Sequence, residues 1–307
     1  MKDRVIEVGY RRLPEIQAGP GHAARTIARW ALTLAWRKRA TKISLAACAM
    51  VAMGHALGIV VVVLLEAAGT FGGSTPLAAM SLNVDRIVGN TQEVLSSFVS
   101  AQTYFTVIAL AVIGGGLIAE DRRYGAFDLY FARALRRRDY LLGKLLAAGA
   151  IPALTIALPF VLLWLLAVGI APSTLRLSLL WLFVPGLIGA LVTSAVLTAT
   201  LLGASALGER GRTIGVVFVF GWLLLSAVGE SLASNGLATA GYLSPARDVA
   251  TMMEALLDAG PASAAAAALE LRGSVNPSAL LSTLSLLGFA SLGLAVLVGR
   301  LRREVGG

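Results

Sequence analysis

Of the 307 residues, 57% are apolar and 14% charged, against about a quarter charged in an ordinary soluble domain. So little charge does not clothe a water-facing surface of this size. The net charge of +9 sits in blocks between long apolar runs and not along one solvated face, which argues against nucleic acid as a partner. The two histidines, His22 and His55, and the single Cys48 have no clustered cysteines or carboxylates beside them, so neither a metal-ligand set nor an intramolecular disulfide is expected.

In chain order, residues 21–39 read as a helix with Ile27, Trp30, Ala31 and Leu34 at i, i+3, i+4, i+7 spacing and Arg25 and Arg29 on a neighbouring face. Trp30, Trp36 and Arg37 suit the headgroup zone as anchors of a helix lying in the membrane interface. A solvated basic leader is the plainer alternative. A bilayer core of about 30 Å needs about 20 apolar residues per helix. Six runs of that kind, at 43–65, 98–119, 145–169, 177–202, 214–229 and 279–299, carry no charge in their interiors. They are apolar on every face, unlike the alternating strands of a barrel. The fold class expected is all-α, a polytopic membrane protein with six transmembrane helices. It forms one domain over residues 1–307, with a leader (1–42), a six-helix bundle (43–299) and a short tail (300–307). The first run is too long, and too far behind a basic leader, to be the core of a cleaved signal peptide.

The charges orient the chain. Twenty-two of the 26 Lys and Arg fall before span 1, between spans 2 and 3, between spans 4 and 5, and after span 6. Arg86, Arg176, Arg247 and Arg272 occupy the other side. By the positive-inside rule both termini are cytoplasmic, and the location expected is the cell inner membrane.

Pro152 and Pro159 in span 3 and Pro185 in span 4 should bend those helices, and Gly114, Gly115 and Gly116 should let helices approach closely. The first outer loop should end in a helical extension of span 2, and the second, 171–176, is only a turn. In the third, Ser244 and Pro245 read as the cap and first residue of a helix bearing Val249, Met252, Met253, Leu256 and Leu257 on one stripe. A second short helix is expected over 262–271, and both should pack on the outer mouth or lie in the outer interface.

Polar residues inside spans are the candidates for function. Ser96, Ser100 and Thr103 form one stripe on span 2 with Gln102 and Thr106 adjacent. Two readings stand level: the stripe lines a translocation path, or it glues helices together. His55 fits best as a neutral ring bonded to a neighbouring helix, and Ser205 with His55 makes a poor hydrolytic pair. No Gly-x-x-x-x-Gly-Lys-Ser/Thr sequence is present, so the chain is not expected to bind or hydrolyse nucleotide itself.

The loop joining spans 2 and 3 is the most specific stretch. It carries Gly116, then Glu120, Asp121, Arg122 and Arg123, then Gly125, Arg133 and Arg136, and it ends in Gly143-Lys144. Read as residues alone, a helix over 119–131 would carry Glu120, Asp121, Arg122, Arg123 and Asp128 into the cytoplasm, with Phe127, Leu129, Tyr130 and Phe131 as apolar anchors of a protein-binding face. A basic loop held on anionic lipid is the alternative, and it explains the arginines but not the aromatics. The segment resembles the signature of type-2 ATP-binding cassette (ABC) transporter permeases, although Ala126-Phe127-Asp128 and Ala134 stand where that family commonly has Thr-Leu-Glu and a proline. The resemblance implies a cytoplasmic coupling helix that docks on a separate ABC ATPase subunit through Glu120, Arg123, Gly125, Phe127, Tyr130 and Arg133. It also implies a second copy or paralogue of the permease, ATP and magnesium on the ATPase alone, and an exporter. A secondary transporter driven by an ion gradient and a membrane anchor for a cytoplasmic ATPase are the rival functions.

Overall fold

The structure, a computed structural model, describes residues 21–70, 84–126, 137–258 and 278–306. Among the described residues every regular element is helical. Six helical stretches are long and apolar enough to cross a membrane: Arg39–Leu64, Asn90–Arg123, Arg138–Ile170, Arg176–Leu207, Gly211–Ser234 and Ala279–Arg303. Their outward faces carry large apolar side chains such as Met50, Leu57, Phe220, Leu280 and Leu292, each more than 60% exposed. No soluble monomer tolerates an apolar surface of that extent; the chain is a multi-pass membrane protein.

The elements are α1 (His22–Trp36), α2 (Arg39–Thr70), α3 (Val84–Gly114) and α4 (Gly116–Arg123), then α5 (Arg137–Pro152), a π-helical turn (Ala153–Ala157) and α6 (Leu158–Ile170). They continue as α7 (Ser173–Trp181), α8 (Phe183–Leu207), α9 (Gly211–Ser234), a 3-10 segment (Ala238–Leu243), α10 (Pro245–Leu257) and α11 (Ala279–Gly306). Span 2 starts well outside its apolar run, as expected. The turn between spans 3 and 4 is shorter than expected, because helix resumes at Ser173. Span 3 is broken where its prolines stand: Pro152 ends α5, the π turn follows, and Pro159 lies in the first turn of α6. Proline lacks an N–H and clashes with the preceding turn, so the ladder shifts register there.

Spans 2 and 4 form the centre, with 56% and 44% of their most apolar windows buried, whereas spans 1 and 6 lie outside at 17% and 22%. Glycines bring helices together. A Cβ on Gly203 of α8 would stand 2.6 Å from the Gly293 carbonyl oxygen of α11, so these backbones meet without side chains between them. Cys48 is buried as a small packing residue.

The helix foreseen at Ser244-Pro245 is present: the Ser244 hydroxyl accepts from the Arg247 backbone N–H at 3.2 Å. Its apolar stripe faces the bundle: Val249, Met252, Met253 and Leu257 are buried among α3, α8 and α11, and Gly189 of α8 leaves room for the Met253 sulfur. The short helix expected over 262–271 lies outside the described residues.

α1 runs close to α5, where Gly143 admits Ile27: a Cβ there would be 2.8 Å from the Ile27 Cβ. Ala24, Ala28 and Ala35 face the protein, while Trp30, Leu34 and Trp36 are 69%, 59% and 56% exposed and Arg37 is exposed.

Candidate functional site

At the end of the bundle where the basic blocks gather, four spans meet around α4. Span 2 breaks at Gly115, and α4 starts without a capping side chain of its own. Ser205 of α8 supplies one: its hydroxyl accepts from the N–H groups of Ile118 (3.2 Å) and Ala119 (3.3 Å) and donates to the Gly115 carbonyl (2.9 Å). A helix start leaves such donors unpaired unless an oxygen is brought to them. Ser205 is thus a structural cap, and His55 has no part in its contacts.

One turn on, Asp121 receives the Lys144 ammonium at 2.7 Å and the Tyr140 hydroxyl at 2.8 Å, both from α5. Lys144 also donates to the Leu117 carbonyl. Lys144 and Tyr140 are buried, so this is a low-dielectric ion pair closed by added hydrogen bonds. Arg122 donates to the carbonyls of Ala206 (3.0 Å) and Gly208 (3.1 Å) at the end of α8, where orphan carbonyls and the helix dipole favour a cation. On the fourth side the backbones of spans 2 and 5 touch: a Cβ on Gly115 would lie 2.7 Å from the Gly211 carbonyl oxygen, and one on Gly215 would lie 2.6 Å from that of Ala111. The close approach expected of the glycine run is therefore present.

Of the sequence-predicted coupling residues, Glu120 and Arg123 line an open cleft of about 530 Å³ with Arg210, Arg212 and Thr213. The Arg123 guanidinium lies 5.6 Å from the Tyr124 ring centre. The single helix expected over 119–131 is interrupted: α4 ends at Arg123, and Gly125 has φ +63°, a left-handed conformation that glycine takes without steric cost. Phe127, Tyr130 and Arg133 lie outside the described residues.

The polar residues of span 2 are mostly inside the packed chain. Ser96, Gln102, Thr103 and Thr106 are buried and Ser100 is half-buried. Thr106 bonds to Thr155 of the π turn at 2.9 Å, Thr103 donates to the Val99 carbonyl at 2.7 Å, and Ser100 donates to the Ser96 carbonyl at 3.1 Å. Of these only Thr106 bonds to another helix; Thr103 and Ser100 bond within span 2, and the buried Ser96 hydroxyl and Gln102 amide have no hydrogen-bond partner among the described residues. His55 differs from expectation in its partner: its Nδ1 lies 2.9 Å from the Val51 carbonyl of its own helix, and its ring meets Phe98 of span 2 edge-on at 5.4 Å.

A charged group at the opposite end was not singled out by sequence. Arg247 and Asp248 in the first turn of α10 are buried, and Arg247 lies 4.0 Å from Glu230 at the end of span 5. Burial pushes the Asp248 carboxyl up to about 6; the Ser285 and Ser282 hydroxyls of α11 and Arg247 oppose the rise, and Glu230 adds to it. The available signal was an Arg-Asp pair opening an otherwise apolar stripe.

Neither a scan against protein-family models nor a search of curated proteins returns a match to this sequence.

Proposed function

We propose that the chain is the membrane-spanning subunit of an ATP-driven exporter of the type-2 ABC class, paired with a second copy or paralogue and driven by a separate ATPase that carries the ATP and magnesium. The observation that supports this reading is the bonding of α4. The short helix directly before the motif-like loop is fastened to span 3 through Asp121, to span 4 through Arg122 and Ser205, and to span 5 through glycine contacts. A displacement delivered to the loop would reach four spans at once, which is what a rocking transport cycle requires of its input point. α1, with Trp30 and Trp36 outward, fits a helix resting in the inner-membrane interface.

The test is Phe127→Ala with Tyr130→Ala. Truncating one aromatic anchor costs about 2 kcal/mol or more of association, roughly thirtyfold in affinity. The expected result is normal membrane insertion with loss of ATPase co-purification and ATP-dependent transport; wild-type recovery of the ATPase by the double variant refutes docking. In spheroplasts of a Cys48-free parent, cysteines at Ser74 and Ala262 should react with an impermeant thiol reagent, and one at Ala126 only after lysis; labelling of Ala126 from outside overturns the orientation.

A second reading, transport driven by an ion gradient, draws on the buried Asp248, since ionisable residues inside a membrane bundle often serve an ion path. Proteoliposomes with both subunits separate the two: uptake that needs an ion gradient and ignores ATP would replace the first reading with the second.

A further inference from the structure

Between spans 2 and 5 the basic end of the bundle is open. A cleft of about 690 Å³ runs from Lys38, at the α1–α2 corner, between α3 and α9 as far as Phe220, and it shares Glu120, Gly211 and Arg212 with the cleft beside Arg123 and Arg210. Two chemistries meet in it. Its mouth holds Lys38 and Arg212 beside the Glu120 carboxylate, and the adjoining cleft adds Arg123 and Arg210. Among the described residues neither Lys38, Arg210 nor Arg212 takes part in an ion pair. Deeper in, Ile108, Val112, Val216 and Phe220 line the cleft while remaining 39% to 68% exposed. From Arg212 to Phe220 the apolar part extends about 12 Å along the helix axis.

We infer that this cleft binds one anionic diacyl phospholipid of the surrounding leaflet, with the phosphate on Arg210, Arg212 and Lys38 and an acyl chain along Val112, Val216 and Phe220. The inference rests on the chain spanning a membrane and not on its pairing with an ATPase. Guanidinium forks match phosphate oxygens in pairs, and basic pockets between spans attract anionic headgroups. A neutral lipid would leave the cations without a counter-charge, and a free phosphate would leave the apolar wall uncovered. A second copy of this chain fits less well, because a two-fold pairing through this mouth sets the same cationic patch against itself.

The experiment uses the full chain in mild detergent, incubated with an equimolar mixture of phosphatidylglycerol and phosphatidylcholine, with bound lipid counted by native mass spectrometry. One phosphatidylglycerol per chain should be retained in preference. Arg210→Gln with Arg212→Gln should lower that retention about thirtyfold. Val216→Trp, at an exposed position inside the cleft, should lower it with every charge intact. Arg302→Gln with Arg303→Gln, an exposed basic pair outside the cleft, should leave it unchanged. Equal losses from the two arginine pairs would reduce the effect to diffuse attraction and overturn the site. No effect of Val216→Trp, or displacement by inorganic phosphate alone, would remove the acyl chain from it. A disulfide between cysteines at Val112 of one chain and Val216 of another, insensitive to phosphatidylglycerol, would assign the cleft to a second copy.

Discussion

The two ends of this bundle handle buried charge in opposite ways. At the basic end Lys144 and Asp121 meet at 2.7 Å with Tyr140 closing the pair, and Arg122 is spent on two backbone carbonyls. At the other end Asp248 is buried beside hydroxyls and an arginine, and its carboxyl holds its proton up to about pH 6. The first arrangement joins its charges to partners at hydrogen-bond distance and ties α4, α5 and α8 together. The second has two protonation states within reach of ordinary conditions. A charged pair in a membrane bundle is therefore a fastener when its partners are close and complete, and a titrating group when burial outweighs them.

The comparison breaks most visibly at Asp121. Asp121→Ala leaves a buried ammonium without its carboxylate and should cost about 3–5 kcal/mol, read as a large fall in thermal unfolding temperature or lost yield in detergent. Adding Lys144→Met should restore much of it; if the double variant is as poor as the single one, the pair is not what fastens spans 2 and 3. Next, Gly115→Ala sets a methyl against the backbone of span 5 and should cost about 1–3 kcal/mol, with Gly54→Ala, which meets open space, as the unaffected control.

Asp248 sharpens the contrast through pH. Its folded-state pKa of about 6 lies above the ordinary 3.8. Between those values the folded chain binds more protons than the unfolded one, so stability falls as pH rises through that window and the penalty is complete above it. Asp248→Asn should flatten that slope and raise stability above pH 6 by on the order of 2 kcal/mol; a slope that survives the substitution assigns it elsewhere. Ser205→Ala is the smallest change, about 1–2 kcal/mol for the lost cap, measured as faster amide exchange at Ile118 and Ala119 than in the parent.

What the sequence made legible followed from local rules. Six uncharged apolar runs announce six spans, prolines announce the broken third span, and Ser244-Pro245 followed by a stripe announces α10. What stayed hidden depended on partners distant in sequence. The stripe of α10 says that one face is apolar without saying that spans 2, 4 and 6 surround it. Ser205 sits in a Gly-Ala-Ser-Ala stretch that reads as packing, and its role appears only when span 2 brings Gly115 within 2.9 Å. Likewise Asp121 and Lys144 are visible as members of a motif, but periodicity within one helix does not tell that they bond to each other.

The π turn at Ala153–Ala157 sets which faces the two halves of span 3 present. A single added residue in a helix rotates everything beyond it by about 100°, so the half of span 3 that carries Lys144 and the half that carries Phe160 and Leu163 are phased independently. The wide turn is pinned by Thr155 to Thr106. Removing one residue from this turn would rotate α6 by about 100° and swing Phe160 off Gly186, the glycine whose bare backbone makes room for its ring.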